Sequence, residues 1–210
     1  SHGLHYASTV FEGERVYSSV IFKGREHTER LRNSCKIMDF ELPLGDDELD
    51  AAKMAVVEAN GIVDGYVRAF AWRGSEMMAI SAQHTTTHVA IAAWEWPSYF
   101  DPEVKMKGIT LDISDWKRPS PESAPVNAKA AGLYMICTLS KHAAEKKGFQ
   151  DALMLDYRGH IAEATGANVF FVDGEVTIHT PTADCCLDGI TRRPVIALPE
   201  SMQVKVVQRH

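Results

Sequence analysis

The sequence predicts a mixed α/β (α+β) protein of two domains, and three observations lead there. Segments with the β-branched and aromatic character of strands alternate with segments whose apolar residues recur at helical spacing. The 210 residues exceed most single domains yet are short for two ordinary ones, so they permit one large domain or two modest ones. Finally, Arg118-Pro-Ser-Pro-Glu-Ser-Ala-Pro125 holds three prolines in eight residues, which excludes helix interior and reads as an interdomain linker. The boundary is expected near residue 123, giving a small N-terminal α/β domain over 1–122 and the start of a larger C-terminal domain over 123–210.

The elements follow in order. Arg15 to Phe22 (RVYSSVIF) reads as a strand, and Glu26 to Phe40 as a helix with Leu31, Cys35 and Met38 on one side. Asp46-Asp47 starts the next helix, Leu49, Ala52, Val56 and Ala59 form its apolar face, and Asn60-Gly61 stops it. Tyr66 to Trp72 and His88 to Trp96 read as strands around a loop over Met77 to Thr87. Past the linker, Ala128 to Lys147 predicts a helix closed by Gly148. Ala152 to Asp156, Asn168 to Asp173 and Glu175 to His179 predict strands.

Composition narrows the function classes. Apolar residues make up 45% and charged residues 24%, the balance of a folded chain rather than a disordered one. The net charge of −6, from 22 basic against 28 acidic residues, lacks the electrostatic footprint of a nucleic-acid binder and favours small-molecule partners. Apolar runs such as Val89 to Trp94 fall far short of the ~20 residues that span a bilayer, and the opening Ser-His-Gly-Leu-His-Tyr is no signal peptide, so a cytoplasmic protein without membrane insertion is expected. Cys35, Cys137, Cys185 and Cys186 have no CxxC spacing, which suits a reducing compartment. Adjacent Cys185-Cys186 reads as free thiols rather than a zinc site, and no metal is expected.

No P-loop, GxGxxG, HExxH or EF-hand pattern is present. What remains is polar residues in apolar settings. Lys129 precedes Ala-Ala-Gly-Leu-Tyr-Met-Ile-Cys; in a confined space its amine would become a nucleophile, although most lysines at helix starts are solvated. Glu163 lies among small residues that let something flat approach, although taken alone it reads as a helix-cap or turn carboxylate. Gly189-Ile190-Thr191-Arg192 reads as a turn into a helix, whose N–H groups suit phosphate, as do those of many helices.

Six ordered motifs join these residues: His5-Tyr6 with Val10-Phe-Glu-Gly-Glu-Arg15, Phe22-Lys-Gly-Arg-Glu-His-Thr-Glu-Arg30-Leu31, Gly65-Tyr-Val-Arg68, Asn127-Ala-Lys-Ala-Ala-Gly-Leu-Tyr134, Ala162-Glu-Ala-Thr-Gly-Ala-Asn168 and Leu187-Asp-Gly-Ile-Thr-Arg-Arg193. Together they resemble the class IV aminotransferases, the fold-type IV pyridoxal 5′-phosphate family, and most closely its branched-chain amino acid aminotransferases. The resemblance implies an N-terminal α/β sandwich and a C-terminal pseudobarrel domain, with the cofactor in the cleft between them and a homodimer completing the site.

By that resemblance Lys129 holds the cofactor covalently and moves the proton between substrate and cofactor. Glu163 faces the pyridine nitrogen, and Tyr134 bonds the phenolic oxygen. Arg30 grips the phosphate as a bidentate donor, aided by the backbone of Ile190 and Thr191. Phe11, Trp96, Tyr99 and Tyr134 wall the substrate pocket, with Tyr6, Arg15, Tyr66 and Arg68 for carboxylate recognition, whereas taken alone Phe11 and Trp96 read as core aromatics.

The implied reaction is reversible amino transfer from leucine, isoleucine or valine to 2-oxoglutarate. The same fold serves D-amino acid aminotransferases, amine aminotransferases and aminodeoxychorismate lyase, and a catalytically inactive homologue acting as an assembly subunit is a rival of another class. Two departures stand out. Ala79 in Met77-Met78-Ala79-Ile80 replaces a glycine common in branched-chain enzymes, in a loop expected to reach the neighbouring subunit. The resemblance also implies an earlier N-terminal strand and a C-terminal portion with a Gly-Thr turn, neither of which these 210 residues contain.

Overall fold

The computed structural model describes residues 1–96, 102–173, 177–201 and 204–210. The chain divides into two compact units, one of Ser1–Pro102 with Ala128–Gly132, the other of Glu103–Asn127 with Leu133–His210. The first crossing therefore falls at residue 102, not near 123. Residues 118–125 lie inside the second unit rather than forming a linker: Arg118 N–H donates to the Leu155 carbonyl at 2.8 Å, and Arg118 bridges Asp156 in parallel. Proline excludes helix, and a bridged residue followed by a turn, here closed by Ser123 and Ala124 N–H on the Ser120 carbonyl, satisfies that constraint as well as a linker does.

The first unit is built on a five-stranded antiparallel sheet. β1 (Thr9–Phe11) and β2 (Glu14–Tyr17) both pair with one side of β4 (Gly65–Arg73), and Thr9↔Trp72, Phe11↔Phe70, Glu14↔Val67 and Val16↔Gly65 keep one register. They are two halves of one strand, interrupted at Glu12-Gly13. β5 (Thr87–Glu95) covers the other side of β4 along nine residues.

The run expected as a single strand from Arg15 to Phe22 is instead a hairpin: β3 (Val20–Ile21) turns back on β2 through Ser18 and Ser19, whose φ values are 49° and 63°. Two positive φ angles match the twist of flanking strands. Serine supplies no such preference, so the turn is held from outside, by Ser18 N–H to Asp64 Oδ1 and Ser19 N–H to the Val63 carbonyl.

Helices α2 (Gly24–Ile37) and α3 (Asp46–Ala59) follow, preceded in the chain by α1 (His2–Tyr6). Three acids in the first turn of α3 suit the helix dipole, Glu48 accepts the Gly45 N–H, and Gly61 at φ 61° ends the helix. Val57 of α3 packs with Val16, Ile21, Ile62 and Val67 into the core cluster. The buried stripe of α3 is Leu49, Lys53 and Val57, rotated from the expected Leu49, Ala52, Val56 and Ala59. The rotation follows from Lys53, whose ammonium is buried against Glu14 (2.8 Å), Asp50 (3.3 Å) and the Gly24 carbonyl (2.9 Å).

The helix expected over Ala128–Lys147 is shorter. Val10 bridges Ala130, Phe11 N–H donates to the Lys129 carbonyl at 3.1 Å, and residues 128–130 thereby extend the edge of β1. Beyond the short helix α4 (Pro102–Lys107), a 3₁₀ turn covers Ala131–Tyr134, and α5 spans Met135–Lys146. Ala128 and Ala130 are buried, so their small side chains let this edge segment approach the sheet.

In the second unit, β6 (Leu111–Ile113) runs parallel to β7 (Asp151–Leu155), and β8 (Ile161–Ala164) returns antiparallel after a turn at Gly159. A second three-stranded sheet holds β9 (Phe171–Val172), β10 (Ile178–Pro181) and β11 (Val206–Arg209). The strand expected over Asn168–Asp173 thus shrinks to two residues, and before it the Asn168 side chain donates from Nδ2 to the Leu187 carbonyl. The one expected from Glu175 lies partly outside the described residues and begins at Ile178. All four cysteines are free and buried, and no helix among the described residues is long and apolar enough to cross a membrane.

Candidate active site

Strand alternation sorts the residues of the first unit onto two faces. Tyr66, Arg68, Phe70 and Trp72 of β4 share one face with Arg15, Phe11 and Thr9, while Glu12, Glu14 and Val16 share the other with Val67, Ala69 and Ala71. The Val10↔Ala130 bridge sets Lys129 opposite Phe11 on the first face. The side chains agree: Lys129 Nζ stands 5.0 Å from the Phe11 ring centre, and the Arg68 guanidinium 4.7 Å from the same ring and 5.5 Å from that of Tyr66. The Lys129 backbone is pinned on both sides, by Phe11 N–H and by Ser34 Oγ, which accepts its N–H at 3.0 Å. Arg68 Nε is buried with no hydrogen-bond partner among the described residues.

Gly13 is a glycine for a steric reason. A Cβ there would stand 1.8 Å from Tyr66 Oη, so the phenol lies over the break between β1 and β2. Gly13→Ala is expected to lower stability by about 1–3 kcal/mol through overpacking, read as a fall in the urea midpoint. Adding Tyr66→Phe should restore part of the loss, and a second change without effect would show that the phenol is not the obstacle.

The opposite face carries a second constellation. Glu12, fully buried, accepts Arg30 Nε at 2.7 Å and Nη2 at 2.8 Å and meets His27 Nδ1 at 2.6 Å. Burial alone would raise its pKa, but the hydrogen bonds and charges of Arg30 and His27 outweigh it and hold the carboxyl at about 2. The expectation of Arg30 as a bidentate phosphate ligand is therefore refined. The Nε–Nη2 edge of the guanidinium belongs to Glu12, which fixes the plane in which Arg30 can meet anything else.

In the second unit Glu163 sits on β8 itself, opposite Met154, rather than in a turn before the next strand. Its Oε1 lies 3.1 Å from Arg118 Nε, both side chains being largely buried. Tyr134 ends the 3₁₀ turn that leads into α5. Buried Ile190 and exposed Thr191 form the turn before α6 (Arg192–Ser201). Two anchors hold that turn: Arg192, buried, reaches Asp188, the Pro181 carbonyl and Gln208, and Asn168 packs so closely that a Cβ on Gly189 would meet its Oδ1 at 2.1 Å.

The first unit therefore brings Lys129, Phe11, Tyr66, Arg68 and Arg15 onto one face. Arg15 there donates to the Trp96 carbonyl at 2.5 Å, and Trp96 packs on Tyr66. Tyr6 lies on α1 and stacks on His2. Tyr99 lies outside the described residues. Sequence reasoning missed Glu12, His27, Ser34 and Arg118. The first three had a legible signal, polar residues at the buried spacing of Leu31 and Cys35 or within the Phe-Glu-Gly run, whereas Arg118 was hidden inside a proline-rich segment.

Known proteins share this sequence pattern and this fold. The family described as Amino-transferase class IV matches residues 9–210. A probable branched-chain-amino-acid aminotransferase of Rickettsia conorii is 40% identical over 206 residues, 98% of this chain and 69% of that protein. A crystal structure of a branched-chain amino acid aminotransferase with pyridoxamine 5′-phosphate superposes with a TM-score of 0.95 at 36% identity, over 100% of this chain and 70% of that one. The Escherichia coli branched-chain amino acid aminotransferase gives 0.95 at 35% identity with the same coverage. Matched along residues 9–210 and superposed over its whole length, the chain belongs to the class IV aminotransferases.

Proposed function

We propose that this aminotransferase moves the amino group reversibly between branched-chain L-amino acids and 2-oxoglutarate, with pyridoxal 5′-phosphate as cofactor, in a homodimer of the cytoplasm. The observation that carries the reading is the shared face of β1 and β4, where an amine and a guanidinium flank one aromatic ring. The donor set fits the cofactor: an amine for its aldehyde, a buried carboxylate for its ring nitrogen, and an arginine and a helix-entry turn for its phosphate. The bound group supplies an electron sink for the carbanion formed at substrate Cα.

The chain's own residues do the rest. Lys129 holds the cofactor and carries the proton to and from Cα, and its pinned backbone limits the arc its amine can sweep. Glu163 keeps a proton on the ring nitrogen, Tyr134 meets the phenolic oxygen, and Arg30 with the turn at Ile190 and Thr191 grips phosphate. Phe11 and the tilted pair Trp96–Tyr66 favour an aliphatic side chain. Exposed Met78 and Ile80 in the loop that His2 fastens through the Ala79 carbonyl favour a partner subunit.

A pocket that takes leucine and glutamate in turn needs a cation for the anionic side chain, since burying an unpartnered carboxylate against aromatics costs several kcal/mol. Arg68, whose Nε has no partner among the described residues, is that cation, with Arg15 more committed to Trp96. Adding L-leucine to the cofactor-loaded protein should convert the bound pyridoxal form to the pyridoxamine form. Arg68→Ala should then weaken the half-reaction with glutamate by roughly 2 kcal/mol or more, and that with leucine much less. Equal loss for both would assign Arg68 to the shared α-carboxylate, and no conversion by leucine would overturn the substrate class.

A further inference from the structure

We infer that Arg118 is a positioning residue that acts through Glu163, keeping that carboxylate ionised and fixed where the ring nitrogen of the cofactor meets it. The inference rests on the reading of Glu163 above and goes beyond it, because it assigns a role to a segment whose sequence reads only as a linker. Residues 120–124 turn, with Ser123 and Ala124 N–H both donating to the Ser120 carbonyl, and just before that turn Arg118 bridges Asp156 at the end of β7. From there the Arg118 side chain enters the interior beside β8.

Its surroundings leave it one electrostatic task. Nη1 donates to the Leu133 carbonyl at 3.3 Å and meets Cys137 Sγ at 3.4 Å. Nε stands 3.1 Å from Glu163 Oε1 without an aligned hydrogen bond, so the contact is ionic rather than a directed donor–acceptor pair. Among the described residues Glu163 is the one carboxylate in ion-pair range of Arg118. The nearby thiols do not compete as anions, since burial raises Cys137 and pushes Cys186 up to about 12.

A carboxylate this buried takes up a proton unless a cation stands beside it. Arginine holds its own proton firmly in such a place, and a lysine paired with the same carboxylate is held charged by it as well. With Arg118 in place the proton shared between Glu163 and a pyridine nitrogen resides on the nitrogen. Without it, the proton falls back to the carboxyl, and the ring nitrogen is met by a neutral acid.

The test measures what the ring nitrogen contributes to binding. Dissociation constants of the cofactor-free protein are determined for pyridoxal 5′-phosphate and for its 1-deaza analogue, in which carbon replaces that nitrogen, and their ratio is the readout. In Arg118→Met the preference for nitrogen should fall at least tenfold. In Arg118→Lys, which keeps the charge and serves if the methionine variant folds poorly, it should stay within threefold of the wild type. Adding Arg118→Met to Glu163→Gln should lower the ratio no further than Glu163→Gln alone.

A merely structural role would weaken both ligands equally and leave the ratio unchanged, which would overturn the inference. So would an effect of Arg118→Met that persists in full in the Glu163→Gln background, or a lysine variant as defective as the methionine one. A wild type that does not discriminate between the two ligands would instead refute the placement of Glu163 at the ring nitrogen, and the role of Arg118 would fall with it.

Discussion

Lys129→Ala is expected to lose amino transfer by about 10³-fold or more, because in the proposed site one amine serves both as the covalent anchor and as the proton carrier. Two observations on the chain single it out from the other lysines. Its backbone N–H and carbonyl are both bonded, to Ser34 Oγ and Phe11 N–H, so the side chain starts from a fixed point on the sheet edge. Its Nζ rests over the Phe11 ring on the face that also carries Arg68 and Tyr66. By contrast, Lys53 is buried among carboxylates, and Lys141 is in ion-pair range of Glu145 on α5.

Borohydride reduction of the cofactor-loaded protein followed by peptide mapping should place the pyridoxyl label on Lys129. A label on Lys141 or Lys146 would overturn the assignment. Added methylamine should restore part of the activity of Lys129→Ala if the missing function is an amine. An unrescued variant with wild-type cofactor content would point to lost structure at the sheet edge instead.

The helices and long strands were legible because local chemistry and tertiary packing agree there. α3 has its acidic first turn, its periodic apolar residues and its glycine stop, and the strands β4 and β5 fall within a residue or two of their expected limits. The failures share one cause, in that partners distant in sequence overrode a local pattern. Ser18 and Ser19 turn because Val63 and Asp64 bond them. Lys53 faces inward because Glu14 waits there, which rotates the stripe of α3. Ala128 to Ala130 leave the helix to which their composition inclines them and pair with β1.

The site shows the same division. Lys129, Glu163 and Arg30 stand out in the sequence as motif residues of the proposed site, but the groups that touch them do not, because an orienting residue is defined by what it touches. Glu12 looks like any acid in a strand until its partners, Arg30 and His27, are seen on α2. Ser34 looks like a weak helix former until its hydroxyl accepts the N–H of a residue far along the chain. Arg118 looks like the start of a linker until its backbone proves to bridge Asp156 at the end of β7, with a turn over the residues that follow.

Glu163→Gln is expected to retain cofactor yet lose amino transfer by roughly 10²–10⁴-fold, the range typical of removing a proton-holding group from an active site. The amide has the same shape but cannot balance a proton on the ring nitrogen, so the electron sink weakens at the step where Cα gives up its proton. The partner makes the effect larger than loss of one contact. Arg118 keeps its charge and stays buried, so the variant replaces an anion near the nitrogen with an uncompensated cation, which disfavours the protonated ring further. Stranding that cation also destabilises the fold, by about 3–5 kcal/mol for a broken buried pair. The two consequences can be separated. In Glu163→Gln with Arg118→Met, both charges are gone, so the denaturation midpoint should recover while the half-reaction with L-leucine stays slow. If activity recovers together with stability, the single variant was failing for want of a fold, and Glu163 is a structural acid. If Glu163→Gln alone turns over at the wild-type rate, the carboxylate has no part in holding the proton.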